Sequence, residues 1–193
     1  MAKGTLAVTG DQASDDLVNT DPLALLIGML LDQQVPMEWA FKGPKRLVDR
    51  TGRPLDARAI AEADPDEFAG MVRQKPALHR FPASMARRIQ ALCAHIEEHH
   101  DGDAASIWRG VRDPEVIYRR LLELPGYGEE KARIFVAILA KRFGKRPSGW
   151  ERAAGAFSDQ QPRSVADIDS PEALARVREW KKAQKAAGKS KSE

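Results

Sequence analysis

The chain has 193 residues, of which 42% are hydrophobic and 31% charged, and a formal net charge of +3. That is enough apolar surface for one large domain or two small lobes, and the weakly basic balance (pI near 9.1) permits a polyanionic partner without requiring one. A single cysteine, Cys93, excludes an internal disulfide and a four-cysteine iron–sulfur cluster, and the longest apolar run, Pro22 to Leu31, is too short to cross a membrane. The first residues lack a signal-peptide hydrophobic region, so a cytoplasmic protein without a membrane partner is expected.

Residues 1–20 are polar, with one short extended piece expected at Thr5 to Val8. Asp21-Pro22 then opens a helix, the aspartate as N-cap and the proline at the first helical position. Leu23, Leu25, Leu26, Ile27, Met29, Leu30 and Leu31 make it apolar nearly all round, as befits the middle of a core, and it ends at Asp32-Gln33-Gln34 before Pro36. Residues 37–50 interleave Trp39, Phe41 and Leu47 with Lys42, Lys45 and Arg46. Two short helical pieces follow, one capped by Asp56 and one opened by Asp64-Pro65. After Phe81-Pro82, Met85, Ile89, Leu92, Cys93 and Ile96 recur at helical spacing, up to His99-His100-Asp101-Gly102.

Further helices are expected over about 114–123 and 129–142, with looser chain over 144–169. Ser170-Pro171 opens a last helix that fades into a disordered basic tail over 181–193. No useful alternating pattern occurs, so the chain reads as all-α, a single domain over 1–180 built from roughly eight to ten short helices.

Between the last two regular helices before the loop stands Leu124-Pro125-Gly126-Tyr127-Gly128. Two glycines flanking one residue allow a tight hairpin that frees the first N–H groups of the next helix, and these form a natural phosphate seat. The same shape also serves as a plain corner between helices. Charge is unevenly placed around it. No acidic residue lies between Glu67 and Glu97, while Arg73, Lys75, Arg80, Arg87 and Arg88 do, and a second basic group comprises Lys131, Arg133, Lys141, Arg142, Lys145 and Arg146. Such runs are either solvated faces or a nucleic-acid footprint.

With the hairpin (about 114–142), Leu30-Leu31-Asp32-Gln33-Gln34 and the Ser84 to Asp103 stretch in this order, the sequence resembles the helix-hairpin-helix (HhH-GPD) superfamily of DNA glycosylases, of the endonuclease III-like kind, over about residues 21–157. The resemblance implies a two-lobed helical fold with a cleft, the hairpin at its mouth, and N- and C-terminal parts sharing one lobe. It implies double-stranded DNA as partner of a monomer, held at Leu124, Gly126, Tyr127, Gly128 and Glu130 and by Lys131, Arg133, Lys145 and Arg146. Gln34 matches the position that fills the duplex gap when a nucleotide is flipped out. The carbonyls of Leu122, Leu124 and Tyr127 match those that hold a monovalent cation, K+ or Na+, in several members.

Three departures bear on chemistry. The family's catalytic aspartate is missing; aligning Phe143-Gly144 places Glu151 there, with Asp159 and Asp32 as other candidates. The lysine nucleophile of lyase-active members is replaced by Glu130, so the resemblance implies a monofunctional glycosylase that hydrolyses the base–sugar bond. The iron–sulfur cysteines are absent, and no organic cofactor is called for. A catalytically inactive DNA-binding module, or a helical protein–protein module, are the competing readings. Phe81 and Trp150, each in a basic loop beside proline, are either pocket or wedge candidates, whereas Tyr127 packs or contacts DNA.

Overall fold

The computed structural model describes residues 4–190 and 192. Among them the fold is all-helical: α1 Gln12–Thr20, α2 Pro22–Leu31, α3 Met37–Thr51, α4 Ala57–Ala61, α5 Pro65–Arg73, α6 Pro82–His100, α7 Pro114–Glu123, α8 Glu129–Arg142, α9 Trp150–Ala154 and α10 Pro171–Ala186, with short 3₁₀ turns at Ala104–Ile107, Gly155–Ser158 and Val165–Asp167. Starts are written in the sequence. Asp11, Asp21, Asp56, Asp64 and Asp113, and Ser170 before α10, each accept a backbone N–H of the first turn. Proline occupies the first position of α2, α5, α6, α7 and α10.

Helix α2 is the axis. Every residue from Leu23 to Leu31 is buried. On one side α3, α4, α5 and α6 pack together; on the other α7, α8, α9 and α10 gather with the two later 3₁₀ turns. Gly43 lets α3 close on α2, since a Cβ there would stand 2.4 Å from Leu31 Cδ1. The N-terminal segment belongs to the second lobe: Thr5 N–H donates to the Arg142 carbonyl at 3.2 Å and Ala7 N–H to that of Ile168 at 3.4 Å.

Two details add to the sequence reading, at Thr5 to Val8 and at residues 37–51, and two differ from it. The piece at Thr5 to Val8 joins no sheet; besides the two carbonyl bonds of Thr5 and Ala7 its backbone is bound by side chains of α1, Asn19 Oδ1 taking Leu6 N–H at 2.9 Å and Asp15 Oδ1 taking Val8 N–H at 3.1 Å. The sequence between Gln12 and Thr20, read as polar chain, is helix α1 because Asp11 caps it and Val18 is fully buried. Residues 37–51 form one continuous helix through a buried Pro44. Finally, residues 181–186 are not disordered but extend α10, while positions 191 and 193 lie outside the described residues. Among the described residues no helix is long and apolar enough to cross a membrane.

Candidate nucleic-acid interface

The hairpin forms as its glycines dictate. Tyr127 N–H donates to the Leu124 carbonyl at 3.0 Å, closing the turn, and Gly126 sits at φ +85°, where an L side chain is strained. No side chain caps α8, and Gly128 at its start is exposed with open space where a Cβ would stand. The first turn of α8 therefore meets solvent with its positive end uncovered by a capping group. Glu129 and Glu130 are both exposed there and favour the helix dipole, but they would repel a phosphate.

Two hairpin side chains turn toward α2. Tyr127 turns inward: it is buried, its hydroxyl donates to the Leu26 carbonyl at 2.8 Å, and its ring meets Phe135 edge-on. Burial pushes its phenol well above the usual tyrosine range. Its side chain is therefore part of the core, and only its backbone is left to contribute at the surface. Lys131 points back to α2, where its amine donates to the carbonyls of Leu30 (2.8 Å) and Met29. A cation at a helix C-terminus satisfies carbonyls that have no intrahelical donor, so Lys131 docks the hairpin onto α2 rather than extending to a phosphate.

The docking brings the hairpin to the rim of a cleft. A Cβ on Gly126 would stand 2.4 Å from Leu30 Cδ1 and 4.0 Å from Arg88 Cδ. Beside it Gln33, Gln34, His79, Phe81, Ser84 and Arg88 line a cavity of about 310 Å³, within the range of small-molecule sites. Gln34 is exposed and held at φ +56°, an uncommon conformation for a residue with a side chain. Gln33 is held on three sides: its amide nitrogen donates to the Leu30 carbonyl at 2.8 Å, its amide oxygen accepts from Arg88 Nη1 at 2.8 Å, and its main-chain carbonyl accepts from His79, while its N–H donates to the Leu31 carbonyl at 2.7 Å.

His79 is the keystone, and it is 1% exposed. Its Nδ1 accepts the Phe81 N–H at 3.1 Å, which places the ring proton on Nε2, 2.8 Å from the Gln33 carbonyl. This neutral tautomer ties the loop after α2 to the loop before α6. Burial lowers its pKa, and the positive charges of Lys131, Arg80 and Arg88 push the same way against the Gln33 hydrogen bond. The loop carrying it is anchored from α3, where Trp39 Nε1 and Arg46 Nη1 both donate to the Ala77 carbonyl, at 2.7 and 3.1 Å. Phe81, with the Arg80 guanidinium 4.7 Å from its ring centre, is the one large apolar side chain left exposed among the described residues. Sequence reasoning missed His79, Gln33 and Arg88 as members of this site. The signals were the acid-free stretch around His79 and Arg88 and, for Gln33, its place beside Gln34 after the apolar helix.

The remaining candidates are dispersed. Glu151 is exposed in the first turn of the short helix α9, which packs on both α7 and α8; it does not line the cavity. Its neighbours face the start of α7, Arg152 Nε lying 3.4 Å from Glu115 Oε1. Asp159 is committed to Arg163, whose Nε lies 2.9 Å away. Asp32 is half-buried and directly precedes Gln33. Trp150 packs against the core.

The basic group read around the hairpin is spread along α8, about 20 Å long. Arg133, at the hairpin end, lies 5.0 Å over the Tyr118 ring and reaches the Ala153 carbonyl at 3.4 Å. Lys141 and Arg142, near the other end, pair with Asp167 and Asp169 and hold the C-terminal segment. Lys145 and Arg146 follow them, and Arg146 Nε donates to the Ala140 carbonyl at 2.9 Å. Lys145 lines a separate cavity of about 460 Å³ with Trp108 and Phe143. That cavity also includes Pro22, at the opposite end of α2 from Gln33.

A larger open basin, about 950 Å³, lies at the C-terminal end of α6 between His95, His99, His100 and Arg120. The rings of His95 and His99 are 4.4 Å apart, but among the described residues no group of three or more His, Cys, Asp or Glu side chains is arranged to hold a metal ion.

Residues 27–192 match a family model described as HhH-GPD superfamily base excision DNA repair protein. No curated protein matches the chain. Among solved structures, a trapped endonuclease III–DNA covalent intermediate, in an estranged-adenine complex, is similar at 22% identity and a TM-score of 0.45. The similarity covers 81% of this chain and 65% of that one, so this chain spans just under two thirds of its length.

Proposed function

The chain belongs to the HhH-GPD superfamily of base excision DNA repair proteins, and from that membership we propose that it is a monofunctional DNA N-glycosylase acting on a damaged or mispaired nucleotide in duplex DNA. One observation carries the reading: the hairpin that opens the uncapped α8 lies, at Gly126, against Leu30 and near Arg88, and Arg88 lines the same cavity as the left-handed Gln34 at that end of α2. A strand seated on the hairpin backbone would have Gln34 and Phe81 beside it to occupy the place of an everted nucleotide.

Within this reading the backbone N–H groups at Gly126 and Gly128 position the strand, and the Arg88 guanidinium at the rim supplies attraction that Glu129 and Glu130 oppose. A K+ or Na+ ion held by the carbonyls of Leu122, Leu124 and Tyr127 would neutralise a phosphate there; the Leu124 oxygen keeps one lone pair after its turn bond. Glu151, on a helix packed against both hairpin helices, is the carboxylate that would stabilise positive charge on the sugar and orient water. Water rather than an amine is the nucleophile, because Glu130 stands at the lysine position of lyase-active members and the Lys131 amine is engaged by α2.

A second reading has its own support. Glu151 does not line the cavity, which suits a protein that binds distorted DNA without cleaving it. Glu151→Gln separates them: on a duplex that the parent processes, base release should fall by about 10²–10³-fold, the scale of losing one stabilising group in an active site, with duplex affinity unchanged. Base release that survives Glu151→Gln and is lost in Asp32→Asn would move the carboxylate role to Asp32. Binding without base release by the parent on every lesion would establish the second reading.

A further inference from the structure

Helix α10 carries more charge than its packing explains. Only Ala173 and Val177 of this helix are buried, so its C-terminal half adds little to the core. Arg178, Lys182 and Lys185 are spaced four and three residues apart, which places all three on one stripe of the helix. Arg178 pairs with Glu38, while Lys182 and Lys185 are exposed and make no ion pair among the described residues. Beyond Arg178 the only acid of the helix is Glu179. Like charges along one face oppose helix formation; Glu38 offsets Arg178, and Glu179, three residues before Lys182, is the one carboxylate of the helix beside the two lysines. The helix dipole favours Lys185 in the last turn but does not account for the stripe.

The stripe is also placed. Glu38 lies in the first turn of α3, four residues after Gln34, so the Arg178–Glu38 pair fixes α10 beside the loop that forms the cleft rim. A second clamp is the Arg163 guanidinium 5.2 Å over the Trp180 ring. From Arg178 to Lys185 the stripe runs about 10 Å away from that anchor, a length that spans about three phosphates of one strand.

We propose that the α10 face bearing Lys182 and Lys185, next to the Arg178–Glu38 anchor, is a second phosphate-contact surface, which grips duplex DNA flanking the hairpin site. This rests on the reading of the chain as a duplex-DNA binder. Charge complementarity selects the occupant, because a row of cations at this spacing fits a regular line of phosphates and offers no apolar surface to a protein partner. The stripe supplies cationic contact that the hairpin itself, with Glu129 and Glu130 at its mouth, provides poorly.

The test is the salt dependence of duplex binding by the full chain, its Lys182→Gln/Lys185→Gln variant, and an Arg53→Gln/Arg58→Gln control that removes the same charge from exposed side chains beyond the far end of α3. Each neutralised phosphate contact contributes about 0.9 to the log–log slope, so the lysine variant should bind with a slope shallower by about 1.8; between about 0.05 and about 0.15 M salt the parent then loses about sevenfold more affinity than the variant. The control should keep the parent slope, and the lysine variant the parent melting temperature. A lysine-variant slope equal to the parent's, or a control that loses as much, overturns the α10 surface alone. A parent that shows no salt-dependent duplex binding overturns this surface and the duplex-binding reading together.

Discussion

Replacing His79 by leucine tests the keystone of the cleft. The ring satisfies two backbone groups at once, the Phe81 N–H at 3.1 Å and the Gln33 carbonyl at 2.8 Å, in a position 1% exposed. Leucine satisfies neither. A buried polar group left without a partner costs about 1–3 kcal/mol; with the Gln33 loop able to admit some water, the sum should be about 2–4 kcal/mol, or roughly 4–16 °C in melting temperature for a chain of this size. The pH dependence has a definite sign. His79 has a folded pKa below its ordinary 6.5, so the unfolded chain takes up the proton first as pH falls. The stability His79 contributes is complete above about pH 6.5 and is lost as pH falls through that value toward the folded pKa. The gap between parent and His79→Leu should therefore narrow below about pH 6.5. Subtracting the two curves removes the parallel contributions of His95 and His100, whose pKa values burial also lowers. Thermal melts between pH 5 and 8 would check both. A melting temperature within about 1 °C of the parent, or a gap that widens in acid, would refute the assignment of His79 as the tie between the two loops.

Three further outcomes follow from the hairpin. Gly126→Ala forces a side chain onto φ +85° and into Leu30, so it should destabilise the chain by about 1–3 kcal/mol in chemical denaturation and weaken duplex binding. Tyr127→Phe removes the bond to the Leu26 carbonyl and should cost about 1 kcal/mol, with duplex affinity unchanged because that side chain faces the core. Lys131→Met should lower stability by about 0.5–2 kcal/mol through the lost cap on α2. Parent and Lys131→Met alike should give no borohydride-trapped DNA adduct.

Much of the fold could be read directly because its signals are local. Asp-Pro pairs opened helices where their capping chemistry requires, the all-apolar run at Pro22 to Leu31 became the central helix, and the hairpin lies where its glycines put it. Helix α1 escaped because its apolar face is little more than Val18 and Leu17, and its polar Asp15 and Asn19 are buried to bind the N-terminal backbone. The site was harder. Lys131 and Tyr127 sit in a motif that suggests DNA contact, yet each is engaged by α2, about a hundred residues away in the chain. Lys141 and Arg142 belong to a basic run in the sequence but to buried or half-buried ion pairs in the fold. Charge runs record composition; which cations remain exposed is set by tertiary partners that no local pattern reports. The same holds for His79, whose role depends on two loops that meet only after folding.

The central claim is base removal without a lyase step. Single-turnover incubation of the full chain with duplexes carrying uracil, alkylated purines, oxidised bases and mismatches, each reaction split with and without hot alkali, tests it most directly. Strand cleavage on at least one lesion only after alkali is the expected result and would identify the base. Cleavage without alkali would contradict the account of Glu130 and Lys131, and intact strands on every lesion under both treatments would contradict glycosylase activity itself.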